Sequence, residues 1–277
     1  MPNYICTTCG VQYADNDSPP ECCPICEDSR QYVNWNGQEW TALEDLQSEH
    51  SNAIKTIEPN LTGIGTEPSF AIGQRALLVQ TPAGNVLWDC ISLIDDDTVS
   101  AVEAKGGISA IAISHPHYYS TMVEWSRAFN NAPIYLHTAD QGWVMRPDPA
   151  IVFWEGETHK LSEDITLIRC GGHFAGGTVL HWSAGADRRG ALLTGDIIQV
   201  VKDRRYVSFM YSYPNLIPMS AEAVDHIIKA VEPFPYDQIY GAWWGYNVLE
   251  NAKATVAHSA TRYLSAIKGE WSPALAP

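Results

Sequence analysis

The sequence predicts an α+β fold, an αβ/βα four-layer sandwich preceded by a small metal-knuckle domain. Three observations predict it. Two Cys-x-x-Cys pairs, Cys6/Cys9 and Cys23/Cys26, stand near the start of the chain. From about Leu61, short apolar β-rich runs alternate with helical stretches and are punctuated by glycine. Three motifs each follow such a run and so belong at strand ends: Ser114-His115-Pro116-His117-Tyr118-Tyr119-Ser120, Gly171-Gly172-His173-Phe174-Ala175-Gly176-Gly177 and Leu193-Thr194-Gly195-Asp196.

Composition narrows the function classes. At 277 residues with 45% apolar content, the chain is long enough for one large, well-filled domain and a small attachment. No run approaches the length of apolar sequence that a membrane-spanning helix requires. Met1-Pro2-Asn3-Tyr4-Ile5-Cys6 lacks a basic segment followed by an apolar one, so a cytoplasmic protein is expected. A net charge of −15 repels phosphate backbones, and no nucleic-acid partner is expected. Five of the seven cysteines cluster before residue 27, which suits a metal site in a reducing compartment better than a disulfide framework.

Cys6-Thr7-Thr8-Cys9-Gly10 and Cys23-Pro24-Ile25-Cys26 each place two thiolates on a tight turn. Two such turns offer four sulfurs in a tetrahedron, a set suited to zinc or a single iron. Tyr4 to Val33 resembles the rubredoxin-like knuckle, with Tyr13, Pro20 and the Cys-Pro-x-Cys turn in place. That resemblance implies a structural zinc, with iron as the alternative, in a domain over residues 1–35. A module this small needs the metal for most of its folding energy. Its five acids against one base fit docking better than nucleic-acid binding. Cys22 reads as a spare thiol.

Residues 36–60 read as a polar connector with a helix over Thr41–Ile54. Arg75–Gln80 and Val86–Cys90 flank a turn and predict a β-hairpin. Asp96–Lys105 reads as a helix stopped by Gly106-Gly107. Ile108–Ile113 is a buried strand feeding the first histidines, and Ser120 or Tyr119 opens a helix over Thr121–Asn130. Further strands are expected at Pro133–Leu136, Ile165–Arg169, Val179–Trp182, Ala191–Leu193 and Gln238–Tyr240. Ser220 caps a helix to Val231, and Asn247–Ile267 is a last helix. The main domain is placed at 61–268 and a tail at 269–277.

The order and context of the three motifs, with the early hairpin and its Asp89, resemble the metallo-β-lactamase superfamily over residues 61–268. That resemblance implies that His115, His117 and His173 ligate a metal and that Asp196 either ligates it or acts as base on the attacking water. The family's pattern departs here at three places. Tyr119 and Ser120 stand where an Asp-His pair is expected, and Gly241-Ala242-Trp243-Trp244-Gly245 offers no final histidine. One metal rather than two is therefore expected, zinc in the pocket and zinc in the knuckle, with iron as the alternative at either site.

What the resemblance implies is a hydrolase of a small electrophilic molecule, an ester, thioester, lactone or similar, using metal-bound hydroxide. Tyr119 would stabilise the anion in place of the missing metal, while Tyr118, Trp243 and Trp244 would contact the substrate. The rival readings are a non-catalytic binding protein with a degenerate site, and a mononuclear Fe(II) oxygenase of sulfur compounds using His115, His173 and Asp196. The aromatic segment Tyr206–Asn215 reads as a substrate-shaping loop or the contact of a homodimer.

Overall fold

A computed structural model describes residues 1–270. The expected tail at 269–277 lies outside the described residues from position 271 onward. The chain divides into two compact units, one ending at Trp154 and the other beginning at Glu155.

The first unit opens with the knuckle. β1 (Ile5–Cys6) pairs antiparallel with β2 (Trp40–Thr41), and one helical turn, α1 (Pro24–Glu27), carries the second Cys pair. Pro24 sits in the first turn of α1, where its missing N–H costs nothing. After α2 (Leu43–Glu49) comes a seven-stranded sheet. In order it contains β3 (Ser51–Glu58), β4 (Leu61–Glu67), β5 (Arg75–Val79), β6 (Val86–Trp88), β7 (Ala110–Ala112), β8 (Ile134–His137) and β9 (Ile151–Trp154). The first four strands are an antiparallel meander, and β7, β8 and β9 add in parallel. Parallel neighbours need crossovers, supplied by α3 (Asp96–Glu103) before β7 and α4 (Met122–Ala128) before β8. Because β6 and β7 run in parallel, Asp89 after β6 and Ser114-His115 after β7 leave the sheet at the same edge.

The second unit holds a six-stranded sheet. β10 (Thr158–Lys160), β11 (Ile165–Arg169), β12 (Thr178–Trp182) and β13 (Ala191–Gly195) form an antiparallel run. Two ribbons follow, β14 (Gln199–Val200) with β15 (Val207–Ser208), and β16 (Met210–Ser212) with β17 (Ile217–Pro218). α5 (Ala221–Val231) then returns the chain so that β18 (Gln238–Gly241) joins β13 in parallel, and β19 (Asn247–Val248) closes the edge before α6 (Ala252–Ile267). Val224, Ile227 and Val231 are the buried stripe of α5, spaced as one helical face requires. They join Ile168, Val179, Leu192, Ile239 and Val256 in one apolar core.

The expected α+β class holds in each unit, and the differences from the sequence reading are local. The stretch expected as a connector contains α2, shorter than the helix read at Thr41–Ile54, and then the edge strand β3. Its pattern is weakly apolar because an edge strand is covered on one side only. The last helix starts at Ala252 rather than Asn247, because Asn251 adopts a left-handed φ of 54° and breaks the chain after β19. Tyr206–Asn215, read as a loop, includes β15 and β16.

Candidate metal centres

In the knuckle, the sulfurs of Cys6, Cys9, Cys23 and Cys26 are buried and lie within 4.8 Å of one another. Cys6 and Cys26 stand 3.6 Å apart, Cys9 and Cys23 3.7 Å. A tetrahedral zinc with Zn–S of about 2.3 Å sets its sulfurs about 3.8 Å apart, so the cage fits a metal of that size. Two side chains donate to the sulfurs: Tyr13 Oη to Cys23 at 3.0 Å and Gln38 Nε2 to Cys6 at 3.2 Å. Hydrogen bonds among the four cysteines, those with Cys23 first, hold the Cys6 thiol well below its usual range and push those of Cys9 and Cys26 above it. Burial and the nearby Cys23 charge push the Tyr13 phenol up, so it stays a donor.

The first histidines sit on a 3-10 turn. His115 caps it, extended at φ −170°, and Pro116 opens it. The rings of His115 and His117 are 5.1 Å apart at 76° and are both buried. Asp89 fixes this turn from the parallel neighbour strand. Its Oδ1 accepts the Ser114 N–H at 2.7 Å, and its carboxylate also accepts from the Ser114 side chain. With its proton given to Asp89, Ser114 Oγ accepts from His115 Nδ1 at 2.9 Å. That assigns the ring proton to Nδ1 and leaves Nε2 as the lone pair. Burial pushes the Asp89 carboxyl up to about 7, against the pull of the two Ser114 hydrogen bonds.

His173 lies between β11 and β12 in a loop closed by Cys170 N–H and Gly171 N–H, which both donate to Gly177 O. Gly172 has a φ of +79°, and a Cβ there would stand 2.8 Å from Met219 Sδ. This position needs glycine. His173 Nδ1 is 2.8 Å from Tyr211 O, so Nδ1 carries the proton and Nε2 is left as acceptor. Asp196 follows Gly195, φ +56°, at the bulged end of β13. The Tyr213 hydroxyl donates to Asp196 O at 2.6 Å, and its ring lies 5.8 Å from that of His173. Burial, then the Asp196 charge, raises the Tyr213 phenol well above its usual range. The β16–β17 ribbon thus braces both His173 and Asp196.

Other expected residues take different places. Tyr118, expected to contact substrate, is fully buried and tilts over His115 with ring centres 4.4 Å apart. Tyr119 is buried and lines a small cavity with Val11, Gln12 and Met122. Ser120, expected as a helix cap, is not one: Thr121 occupies the cap position, and the Ser120 hydroxyl donates to Cys90 O at 3.3 Å. Trp243 and Trp244 are half-buried in the turn after β18. Cys90 and Cys170 are buried, and Cys22 is exposed. His137 accepts the Ala139 N–H at its Nδ1 and packs on Trp154. The sequence reading missed Ser114, Tyr211 and Tyr213. The serine's only signal is its place before a histidine, and Tyr211 acts through its backbone.

Over 272 residues the chain is 52% identical to a Bacillus subtilis (strain 168) protein, "Uncharacterized protein YmaE", covering 98% of each chain. The chain belongs to the YmaE family. No family model matches this YmaE-family chain. Among solved structures it is similar to VMB-1 at pH 5.5, with a TM-score of 0.59 and 15% identity over 78% of this chain and 98% of that one. The metallo-β-lactamase DIM-1 gives a TM-score of 0.57 at 14% identity, with 78% and 98% covered. The metallo-β-lactamase FIM-1 of Pseudomonas aeruginosa, in its mono-zinc form, gives 0.57 at 13% identity, with 76% and 95% covered. The YmaE-family chain has the metallo-β-lactamase fold, as its motifs implied, with a four-cysteine knuckle before it.

Proposed function

We propose that this chain is a metal-dependent hydrolase of a small electrophilic molecule, an ester, thioester, lactone or similar, working with a single ion held by His115, His117 and His173. The observation that carries this reading is that His115 and His117 stand buried on one turn with ring centres 5.1 Å apart, while the buried His173, in the motif that follows, is oriented through its Nδ1 by Tyr211 O. The surroundings fit the same use, because Nδ1 of His115 meets Ser114 Oγ at 2.9 Å and Nδ1 of His173 meets Tyr211 O at 2.8 Å, which orients both rings. Tyr119 and Ser120 in place of an Asp-His pair favour one ion over two. Zinc is the ion to test first in both centres, with iron as the alternative; one neighbour of the same fold is a mono-zinc form. When bound, such an ion supplies Lewis acidity and makes a water markedly more acidic than bulk.

The chain's own groups supply the rest. Asp196 is assigned to the ion as a ligand or, alternatively, as the base that accepts the proton of the attacking water and returns it to the leaving group. Tyr119 is assigned the donor to the developing oxyanion, and burial, then the Asp140 charge, keeps its hydroxyl protonated. Trp243 and Trp244 are assigned an apolar wall for the substrate. Four of the seven cysteines gathered in a metal cage support a reducing compartment, the cytoplasm. Among the described residues no helix is long and apolar enough to cross a membrane.

Elemental analysis of the wild type and of a His115→Ala/His173→Ala double variant tests the reading. Two metals per chain falling to one, together with loss of hydrolysis of ester, thioester or lactone probes, is the expected result. One metal per chain in both proteins would overturn it. Zinc or iron in the pocket decides between hydrolytic and oxidative chemistry.

A further inference from the structure

The knuckle meets its unit at several places, and one of them is the turn that carries His115 and His117. Gly10, beside the ligand Cys9, lends its carbonyl to the Ser92 hydroxyl at 2.7 Å. A Cβ at Gly10 would stand 2.5 Å from that Oγ and 3.2 Å from Ala71 Cβ, and the Gly10 φ is +80°. Only glycine lets the loop approach this closely. Two residues on, the Gln12 N–H donates to Ser120 O at 3.0 Å. The Gln12 side-chain oxygen accepts from Arg146, which also reaches Glu124 Oε1 of α4 at 2.6 Å. Ala14 N–H donates to Met145 O at 3.2 Å.

Ser120 is the residue at the centre of these contacts. It holds a left-handed φ of 44°, which a non-glycine residue keeps only when its surroundings over-determine it. Gln74 Nε2 donates to its hydroxyl at 3.2 Å, and the Gln12 N–H satisfies its carbonyl. Thr121 then donates to Ile91 O and Ser92 O, each at 3.1 Å. The knuckle loop thus supplies, through the Gln12 N–H, the partner of the carbonyl at the strained position of the turn.

We infer that the metal of the four-cysteine knuckle is the clamp of the His115–Ser120 turn. With the metal bound, the Gly10–Gln12 loop is held in shape against Ser92 and Ser120, and the two histidines keep their ligand geometry. Without it, a module of this size cannot hold its own loop, the Ser120 carbonyl loses its partner, and the strained turn relaxes. Linkage then runs both ways: a metal in the pocket tightens the knuckle's hold on its own metal by the same factor. The consequence for the pocket rests on the reading that His115 and His117 bind a metal; the clamp itself does not.

Hydrogen exchange on the full-length protein reads the clamp directly. The amides to follow are Tyr118, Tyr119 and Met122, bonded within the turn to His115 O, Pro116 O and Tyr119 O. In a Cys23→Ser/Cys26→Ser variant they are expected to exchange about tenfold faster or more, while amides of β11 and β12 in the other unit keep their rates. Rates in the turn that match the wild type would overturn the clamp. If β11 and β12 also speed up, the variant has unfolded, and Ser92→Ala decides, since it keeps all four sulfurs. There the same three amides are expected to exchange about threefold faster or more, and unchanged rates sink the idea. Zinc titration of Ser92→Ala is expected to show pocket affinity about tenfold lower with the knuckle full. A wild-type pocket that takes neither zinc nor iron, with the exchange result intact, would end the hydrolase reading and leave the clamp standing.

Discussion

Between Asp89 and His115 stands one residue, Ser114, whose N–H donates to Asp89 Oδ1 and whose hydroxyl meets His115 Nδ1. Ser114→Ala keeps the backbone bond to Asp89 but removes the acceptor that fixes the His115 tautomer. The expected outcome is a loss of about tenfold in pocket zinc affinity with the fold intact, measured by competition with a chromogenic chelator. Gly172→Ala places a methyl against Met219 at a left-handed φ, so chemical denaturation is expected to show a loss of about 1–3 kcal/mol. His181 donates Nε2–H to Pro235 O at 2.7 Å, and burial lowers its pKa below the ordinary 6.5 in spite of that bond. A depressed histidine binds fewer protons folded than unfolded, so its contribution is complete above pH 6.5 and is lost as pH falls below it. Urea midpoints at pH 7.5 and 5.5 are expected to fall further in the wild type than in His181→Gln. None of these roles is written in the residue types alone. A serine and a glycine become informative only when the fold brings Asp89 or Met219 to them.

Strand edges and caps decide which elements could be read in advance. The hairpin of β5 and β6 was legible because two apolar runs flank Thr81–Asn85, and it forms with Leu78 opposite Leu87. α3 was legible from its stop at Gly106-Gly107, but its cap, Asp95, which accepts the Thr98 N–H at 2.7 Å, was not read. Asp95→Ala is expected to cost about 1 kcal/mol, read as a lower thermal midpoint with unchanged metal content. β3, by contrast, carries Ser51, Lys55 and Glu58 along an edge and shows no clean alternation. β4 fails for the opposite reason: Leu61 to Gly65 is buried on both faces, and its two glycines look like loop signals.

At the scale of the molecule, the metal centres were the most legible feature. Ligand chemistry demands particular residue types at short spacing, and the two Cys pairs and the His-x-His turn satisfy that demand in a few residues each. The way the knuckle meets its own unit was not legible, since it runs through a carbonyl, an amide and a serine hydroxyl. Free zinc is expected to raise the unfolding midpoint, by the equivalent of about 2.7 kcal/mol at a hundredfold excess over the knuckle's dissociation constant. Thermal scans in zinc buffers check this, and a midpoint indifferent to zinc would contradict it. The contact between Gln12 and Arg146 spans 134 residues. During synthesis the four cysteines therefore emerge long before the surface they rest on. At ordinary elongation rates, the 120 residues from Cys26 to Arg146 take about 6 to 24 seconds to be added. Until Ser92, Ser120 and Arg146 have followed, a nascent knuckle has its metal and the short β1–β2 pairing to hold it, so cellular metal supply bears on this chain while it is still on the ribosome.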